Sequence, residues 1–314
     1  MHTVFAVALP KVTAPVRFPY QDAGGAQIVL PLMHFFHLPK FPVGPGAGLH
    51  ERLSLPCMKR LISFLIRYVP RKYLQRLSGP GLKIAGLFLS GKAVTCPVCS
   101  RSFRRFLPYG RINPRQNALC PNCLSLERHR LIWLYLKEKS NLLTRKQSVL
   151  HIAPEACFIP RFEAVHQNLY ITADIESPLA KVKMDIHHMP FGDNTFDAVL
   201  CNHVLEHVAD DIIAMKEIIR VLKPGGFAIM QVPFFHPIPD QTFSDPSITD
   251  RRTREKLFGQ DDHVRRYGKD YTQRISQAGF EAIEDDFVNL FSPEQRYRYG
   301  LADGEVIYKG VKGL

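Results

Sequence analysis

No stretch of this 314-residue sequence approaches the ~18 consecutive uncharged apolar residues that a bilayer-spanning helix needs. The N-terminus also lacks the basic, apolar and small-residue succession of a secretory signal. Acidic residues are scarce in the first half alone: residues 1–147 hold 4 Asp and Glu against 23 Lys and Arg. Residues 148–314 hold 25 against 18, so the net charge of +12 is very unevenly shared. That break marks a domain boundary near Arg145. The length suits one large core with a smaller appendage.

Seven cysteines are present, and four fall in two pairs, Cys96-Pro97-Val98-Cys99 and Cys120-Pro121-Asn122-Cys123. Each pair can form a tight knuckle whose sulfurs face one metal, and a hairpin-sized loop between knuckles completes a tetrahedral four-thiolate site. Structural zinc is the expectation, over two disulfides. A closed shell of this kind leaves no position for chemistry, so the reaction must be sought elsewhere. Cys57, Cys157 and Cys201 show no pairing pattern. Free thiols beside a thiolate metal site suit a reducing compartment, which predicts a cytoplasmic protein.

Residues 1–57, rich in Pro, Gly and small apolar residues, read as a poorly ordered extension or a start-site artefact before Met58. Residues 58–94 form a basic amphipathic segment. Leu61, Phe64, Leu65 and Tyr68 oppose Arg60, Arg67, Arg71 and Lys72, with Pro70 interrupting any helix. It reads as a solvated helix packed on the body, with peripheral membrane or nucleic-acid contact as the alternative. The zinc module spans 95–140. Within it Ser125 is the expected N-cap of a helix through Lys137 that buries Leu131, Ile132, Leu134 and Tyr135. His129 reads as a surface or interface residue, since four cysteines already fill a metal shell.

From Ser148 apolar strand-like runs alternate with helical spacing. Strands are predicted at Val149–Ile152, Leu169–Ala173, Ala198–Cys201 and Phe227–Val232, with a helix from Asp211 to Leu222 capped by Asp210. Lys223-Pro224-Gly225-Gly226 is predicted to end that helix. Such alternation implies an α/β fold with a parallel sheet covered on both faces. Ligands of open parallel sheets bind beyond the carboxyl ends of strands at the switch point. Asp174, at the end of the second strand, has the offset of a carboxylate that grips a ribose diol. Asp185, expected to end a short third strand ahead of Ile186, suits an adenine amino group, and Asn202 and His203 cap the fourth strand.

Asp185 through Pro190-Phe191, Phe196-Asp197-Ala198-Val199, Val204-Leu205-Glu206-His207 and Arg220-Val221-Leu222-Lys223-Pro224-Gly225-Gly226 together resemble the type 11 branch of the class I S-adenosylmethionine (SAM)-dependent methyltransferases. The resemblance covers about residues 148–314, within a methyltransferase domain that it places at 145–314. It extends to a sub-branch with a CPxC ribbon in front and Phe258-Gly259-Gln260-Asp261-Asp262-His263-Val264-Arg265 near the end. It implies a Rossmann-like seven-stranded sheet with an antiparallel last strand at Glu305–Lys309, and SAM as cofactor. Its first loop is normally glycine-rich, whereas this chain has Val149-Leu150-His151-Ile152-Ala153-Pro154-Glu155. Ala153 and Glu155 then stand where backbone approaches the amino-acid end of SAM, and His151 where an acid is usual.

His203 and His207 stand four apart but lack a third ligand of suitable spacing. His263 and His236 are the candidate general bases, His263 preferred for the polar density around it. The expected reaction is methyl transfer to a small-molecule or glycan acceptor. One alternative is an RNA methyltransferase gripping phosphates through the basic front half, where Phe103, Phe106 and Tyr109 are the only aromatics interleaved with Arg101, Arg104 and Arg105. The other is a binding module without catalysis.

Overall fold

The structure, a computed structural model, describes residues 86, 88–110 and 114–314. The expectations for residues 1–57 and for most of the basic amphipathic segment lie outside the described residues.

Two short hairpins frame the cysteine pairs. Strands β1 (Ser90–Thr95) and β2 (Ser102–Phe103) pair antiparallel on either side of the first knuckle. Strands β3 (Leu107–Tyr109) and β4 (Arg115–Leu119) do the same just before the second. The knuckles are built alike. Ser100 N–H donates to Cys96 O at 2.7 Å and Leu124 N–H to Cys120 O at 2.9 Å, with Ser100 and Leu124 both at positive φ.

Helix α1 (Glu127–Lys139) follows, and it is capped differently from the expectation. Leu126 occupies the cap position and its N–H donates to His129 Nδ1 at 3.1 Å. Ser125 is turned to the sulfurs instead, its Oγ 3.2 Å from Cys96 Sγ and 3.3 Å from Cys123 Sγ. Leu131, Ile132, Leu134 and Tyr135 are buried, as their spacing requires.

The main sheet is built from β5 (Val149–Ile152), β6 (Tyr170–Asp174), β7 (Val182–Lys183), β8 (Phe196–Cys201) and β9 (Leu222–Ile229). A short antiparallel pair, β10 (Phe243–Ser244) and β11 (Arg265–Arg266), precedes the last two sheet strands, β12 (Glu281–Asp285) and β13 (Ile307–Val311). The order is β12-β13-β9-β8-β5-β6-β7, with β5 to β9 parallel and β13 antiparallel to both neighbours. This is the expected seven-stranded Rossmann-like sheet. Its antiparallel strand begins two residues later than the sequence suggested. Lys223–Gly226 lies inside β9 as an irregularity rather than before it, because Leu222 already pairs with Phe196.

Among the described residues five further α-helices connect the strands: α2 (Ile159–His166), α3 (Asp211–Val221), α4 (Arg251–Phe258), α5 (Tyr271–Gln277) and α6 (Pro293–Tyr299). Asp210 caps α3 as expected, accepting Ile213 N–H at 2.9 Å.

The pleat sends alternate residues to opposite faces, which gives two cores. Leu150, Ile152, Val199 and Cys201 pack with α3 and α5 residues such as Ile218 and Ile275. Val149, Ala198 and Leu200 pack with Phe158 and Phe162, and the same cluster contains Val94, Val98, Phe103 and Phe106 of the cysteine module. The module and the sheet therefore share one buried cluster. Trp133 of α1 stacks on Phe158 at 6.0 Å, and Tyr135 meets Phe287 edge-on at 5.2 Å.

Candidate functional site

The four cysteines converge. Cys96 and Cys123 sulfurs are 3.6 Å apart, Cys99 and Cys120 sulfurs 3.7 Å, and all four lie within 4.8 Å of one another. These spacings are far too long for disulfides. A tetrahedral ion with Zn–S bonds of about 2.3 Å sets its sulfurs about 3.8 Å apart, so the residues present fit zinc. Arg130, buried behind the second knuckle, joins this site to the rest of the chain. Its guanidinium donates to Ser125 O at 2.8 Å and to Gly300 O at 2.5 Å, and lies 4.4 Å over the Phe106 ring.

The second candidate site lies where β5 and β8 end side by side, the switch point of the sheet. Ala153, just past β5, has φ 48°, and its N–H donates to Ala173 O at 2.9 Å. The first loop thus makes its turn without glycine by holding an alanine in the left-handed region, at a cost on the order of 1 kcal/mol. His203, just past β8, is also left-handed at φ 54°, with its N–H on Gln231 O at 2.7 Å. Backbone strain at both strand ends is what sites that hold a ligand commonly show.

Glu155 fills the space between them. Its carboxylate is hydrogen-bonded to His151 Nε2, accepts Asn202 Nδ2 at 3.1 Å, and lies 3.9 Å from His129 Nε2. His151 Nδ1 in turn meets Tyr170 Oη at 2.7 Å. Burial works to raise the Glu155 pKa, but His151, His129 and Asn202 outweigh it and hold the carboxyl at about 2. A carboxylate thus stands four residues after His151 and is bonded to it. Neither this pairing nor the reach of His129 from the cysteine module was visible from spacing. Buried polar atoms remain without partners here, namely Asn202 Oδ1 and His129 Nε2.

Asp174 ends β6, and its Oδ1 accepts Glu176 N–H at 2.7 Å and Ser177 N–H at 2.6 Å. Those bonds fix the carboxylate at the strand end and leave its second oxygen for a diol. Ile175, next in the chain, and Leu179 are exposed apolar side chains of the kind a purine face would cover. The sequence reading passed over both, though the apolar residue after a strand-end acid was the available signal.

Asp185 is placed less favourably than expected. β7 stops at Lys183, two residues short, and Asp185 is exposed with its Oδ1 held by His187 N–H at 2.9 Å and His187 Nδ1 at 2.7 Å. Ile186 is buried. Ala153, Glu155, Asp174, Asn202 and His203 thus gather at one edge, and Asp185 follows Met184, whose N–H donates to Asp174 O at 3.1 Å.

The candidate bases part company. His236 is exposed. His263 is fully buried rather than set in an open covering loop, and its Nδ1 donates to Phe258 O at 3.0 Å. Burial pulls its pKa down. It packs edge-on against His207 with ring centres 4.8 Å apart. Phe103, Phe106 and Tyr109 are buried in the module, so none of them forms a platform for nucleotide bases.

Residues 151–230 match the family model described as a methyltransferase domain, which spans β5 to the end of β9. Over 128 residues the chain is 30% identical to the tRNA U34 carboxymethyltransferase of Nautilia profundicola, covering 41% of this chain and 39% of that one. It is 36% identical over 118 residues to cycloartenol-C-24-methyltransferase 1 of Oryza sativa subsp. japonica, covering 37% and 33%. The chain thus spans about two fifths or less of the length of these curated relatives. Among solved structures, an S-adenosylmethionine-dependent methyltransferase from Mesorhizobium loti aligns with a TM-score of 0.43 at 12% identity, over 58% of this chain and 98% of the other. Residues 151–230 are thus similar to a methyltransferase domain.

Proposed function

We propose that the chain is a SAM-dependent methyltransferase acting on a small-molecule or glycan acceptor, with a zinc-bearing module packed against its catalytic sheet. The observation that carries the reading is the construction of the β5–β8 edge. The segment that matches the methyltransferase family supplies two left-handed strand ends and an ionised, part-buried carboxylate there. Bound SAM supplies an activated methyl group on a sulfonium, so the protein's part is alignment and exclusion of water. Asp174 is suited to hold the ribose hydroxyls, and Ile175 to cover the purine. Ala153, Glu155, Asn202 and His203 would meet the amino-acid end, where Glu155 can attract the ammonium. Cys96, Cys99, Cys120 and Cys123 would hold the zinc, whose role is structural.

RNA is the second reading for the acceptor, favoured by the excess of basic residues in the first 147. Arg101, Arg104 and Arg105 are exposed, yet the aromatics among them are buried, so this face offers charge without stacking. Calorimetric titration of the full chain with S-adenosylhomocysteine tests the cofactor site. Saturable binding with one ligand per chain is expected, and absence of binding would refute the reading. RNA binding that falls steeply with salt would instead favour the nucleic-acid acceptor.

A further inference from the structure

A second cluster of metal-type ligands lies beside the cofactor edge, in residues assigned above to neither the cofactor nor the zinc. Glu206, His207 and His263 each bring one ligand atom within 4.8 Å of the others. Among the described residues this is the one such group besides the four cysteines. Two segments distant in sequence build it. Glu206 and His207 sit on the turn after β8, and His263 precedes β11. Val264 N–H donates to Glu206 O at 2.9 Å, while the Arg265 guanidinium donates to Leu205 O and, at 2.8 Å, to Ala209 O. The turn is therefore clamped from the opposite segment.

The proton positions follow from the partners. His263 Nδ1 faces Phe258 O at 3.0 Å, a carbonyl that can only accept, so Nδ1 carries the hydrogen. His207 Nδ1 faces Asp262 O at 3.3 Å with the same consequence. Both rings then turn the lone pair of Nε2 inward. His207 Nε2 is 3.9 Å from Glu206 Oε1, and that oxygen also lies 3.3 Å from His203 Nδ1. Glu206 Oε2 and His263 Nε2 are buried with no hydrogen-bond partner. Two imidazole lone pairs and a carboxylate thus face one another with no donor at His263 Nε2 or Glu206 Oε2. Acceptors buried this way repel unless a cation lies between them. Donation of the far ring nitrogen to a backbone carbonyl is also the arrangement that orients histidine toward a metal.

We propose that Glu206, His207 and His263 form a binding site for a divalent first-row transition ion, distinct from the four-cysteine site. Two imidazoles and one carboxylate suit zinc, cobalt or ferrous iron, and three protein ligands leave at least one position for water or an acceptor hydroxyl. His207 and His203 are partly exposed, so that position opens toward the lip past β8 where an acceptor must enter. The proposal goes beyond methyl transfer and stands on the ligand geometry alone.

Cobalt titration of the full purified chain, followed by metal analysis after gel filtration, is the test. Wild type is expected to hold one equivalent of cobalt beyond the thiolate-bound metal, with the weak visible bands of nitrogen and oxygen ligands. His207→Ala and Glu206→Gln are expected to lose that equivalent and keep the thiolate-bound one. His207 is part-exposed, so its alanine variant decides the matter if the buried Glu206→Gln fails to fold. No additional cobalt in wild type overturns the proposal. So does an additional equivalent that His207→Ala retains.

Discussion

Arg130→Met is the substitution that most directly tests whether the cysteine module is welded to the sheet. Arg130 is wholly buried, yet its charge is held by carbonyls on both sides of the seam, Ser125 O in the module and Gly300 O after α6. Burial works against its charge, and Cys96, Glu127, Cys120 and Cys123 work for it. Methionine fills much of the space but donates nothing. Each lost charge-assisted bond is worth about 1.5–3 kcal/mol, and the desolvated contact with Phe106 about 2 kcal/mol more. Packing by the new side chain returns part of this, so a net loss of at least about 3 kcal/mol is expected. Swapping a buried charge for an apolar residue can be neutral when its partners leave with it. Here the carbonyls and the thiolates stay. Urea unfolding followed by circular dichroism measures the loss, and zinc release to a chelator should quicken in parallel. Arg130→Lys should recover less than half of it, because one ammonium cannot reach two diverging carbonyls in the guanidinium's geometry. Stability within about 1 kcal/mol of wild type, with unchanged zinc release, would refute the argument.

Gly300→Ala should destabilise through the same contact, since a Cβ there would stand 2.8 Å from Arg130 Nη2 and from the Phe106 ring at a φ of +60°; thermal unfolding checks it. Asp174→Ala and Asp185→Ala should each weaken S-adenosylhomocysteine binding about 10-fold or more in calorimetry, because both carboxylates are engaged at Oδ1 and leave the second oxygen for the cofactor. Cys99→Ser should lose the zinc and lower the melting temperature of the whole chain in one transition, because module and sheet share a core. Glu155 has a folded pKa near 2, below the ordinary carboxyl value of 4.5, so its stabilisation is complete above about pH 4.5 and lost as pH falls through about 2. Wild type should therefore exceed Glu155→Gln in stability at pH 6 and lose that margin between pH 4.5 and 2, as denaturant titrations at each pH would record.

The sheet was legible because its signals are local. Val149–Ile152 is an apolar run of strand length, and Asp210 followed by apolar residues at helical spacing states both the start and the buried face of α3. The four cysteines were legible for the same reason, since a CPxC knuckle is closed by its own backbone. Errors came where a residue had a distant competitor. Ser125 has the chemistry of an N-cap, but two sulfurs claim its hydroxyl and His129 takes over the cap.

The site itself shows why spacing could not reveal more. A first loop without glycine and a histidine at position 151 both depart from the pattern that the resemblance implies. In three dimensions the loop keeps its turn through Ala153, and Glu155 is bonded to the histidine at position 151. Those two departures compensate each other only because residue 155 folds back over the end of β5. His129 completes the group from a segment that sequence reading placed in another domain. Burial pushes the His129 pKa well down, so a change in the cysteine module can alter the polarity around Glu155, at the proposed amino-acid end of the cofactor, without touching the methyltransferase segment. His129→Phe separates the two kinds of effect. It would keep an aromatic ring against Phe158, now 5.8 Å away, while removing the nitrogen 3.9 Å from Glu155 and the Nδ1 that accepts Leu126 N–H, a lost cap that thermal unfolding of the same variant measures separately. Cofactor affinity should change while zinc content does not, and unchanged affinity would show that the module acts on the sheet through packing alone.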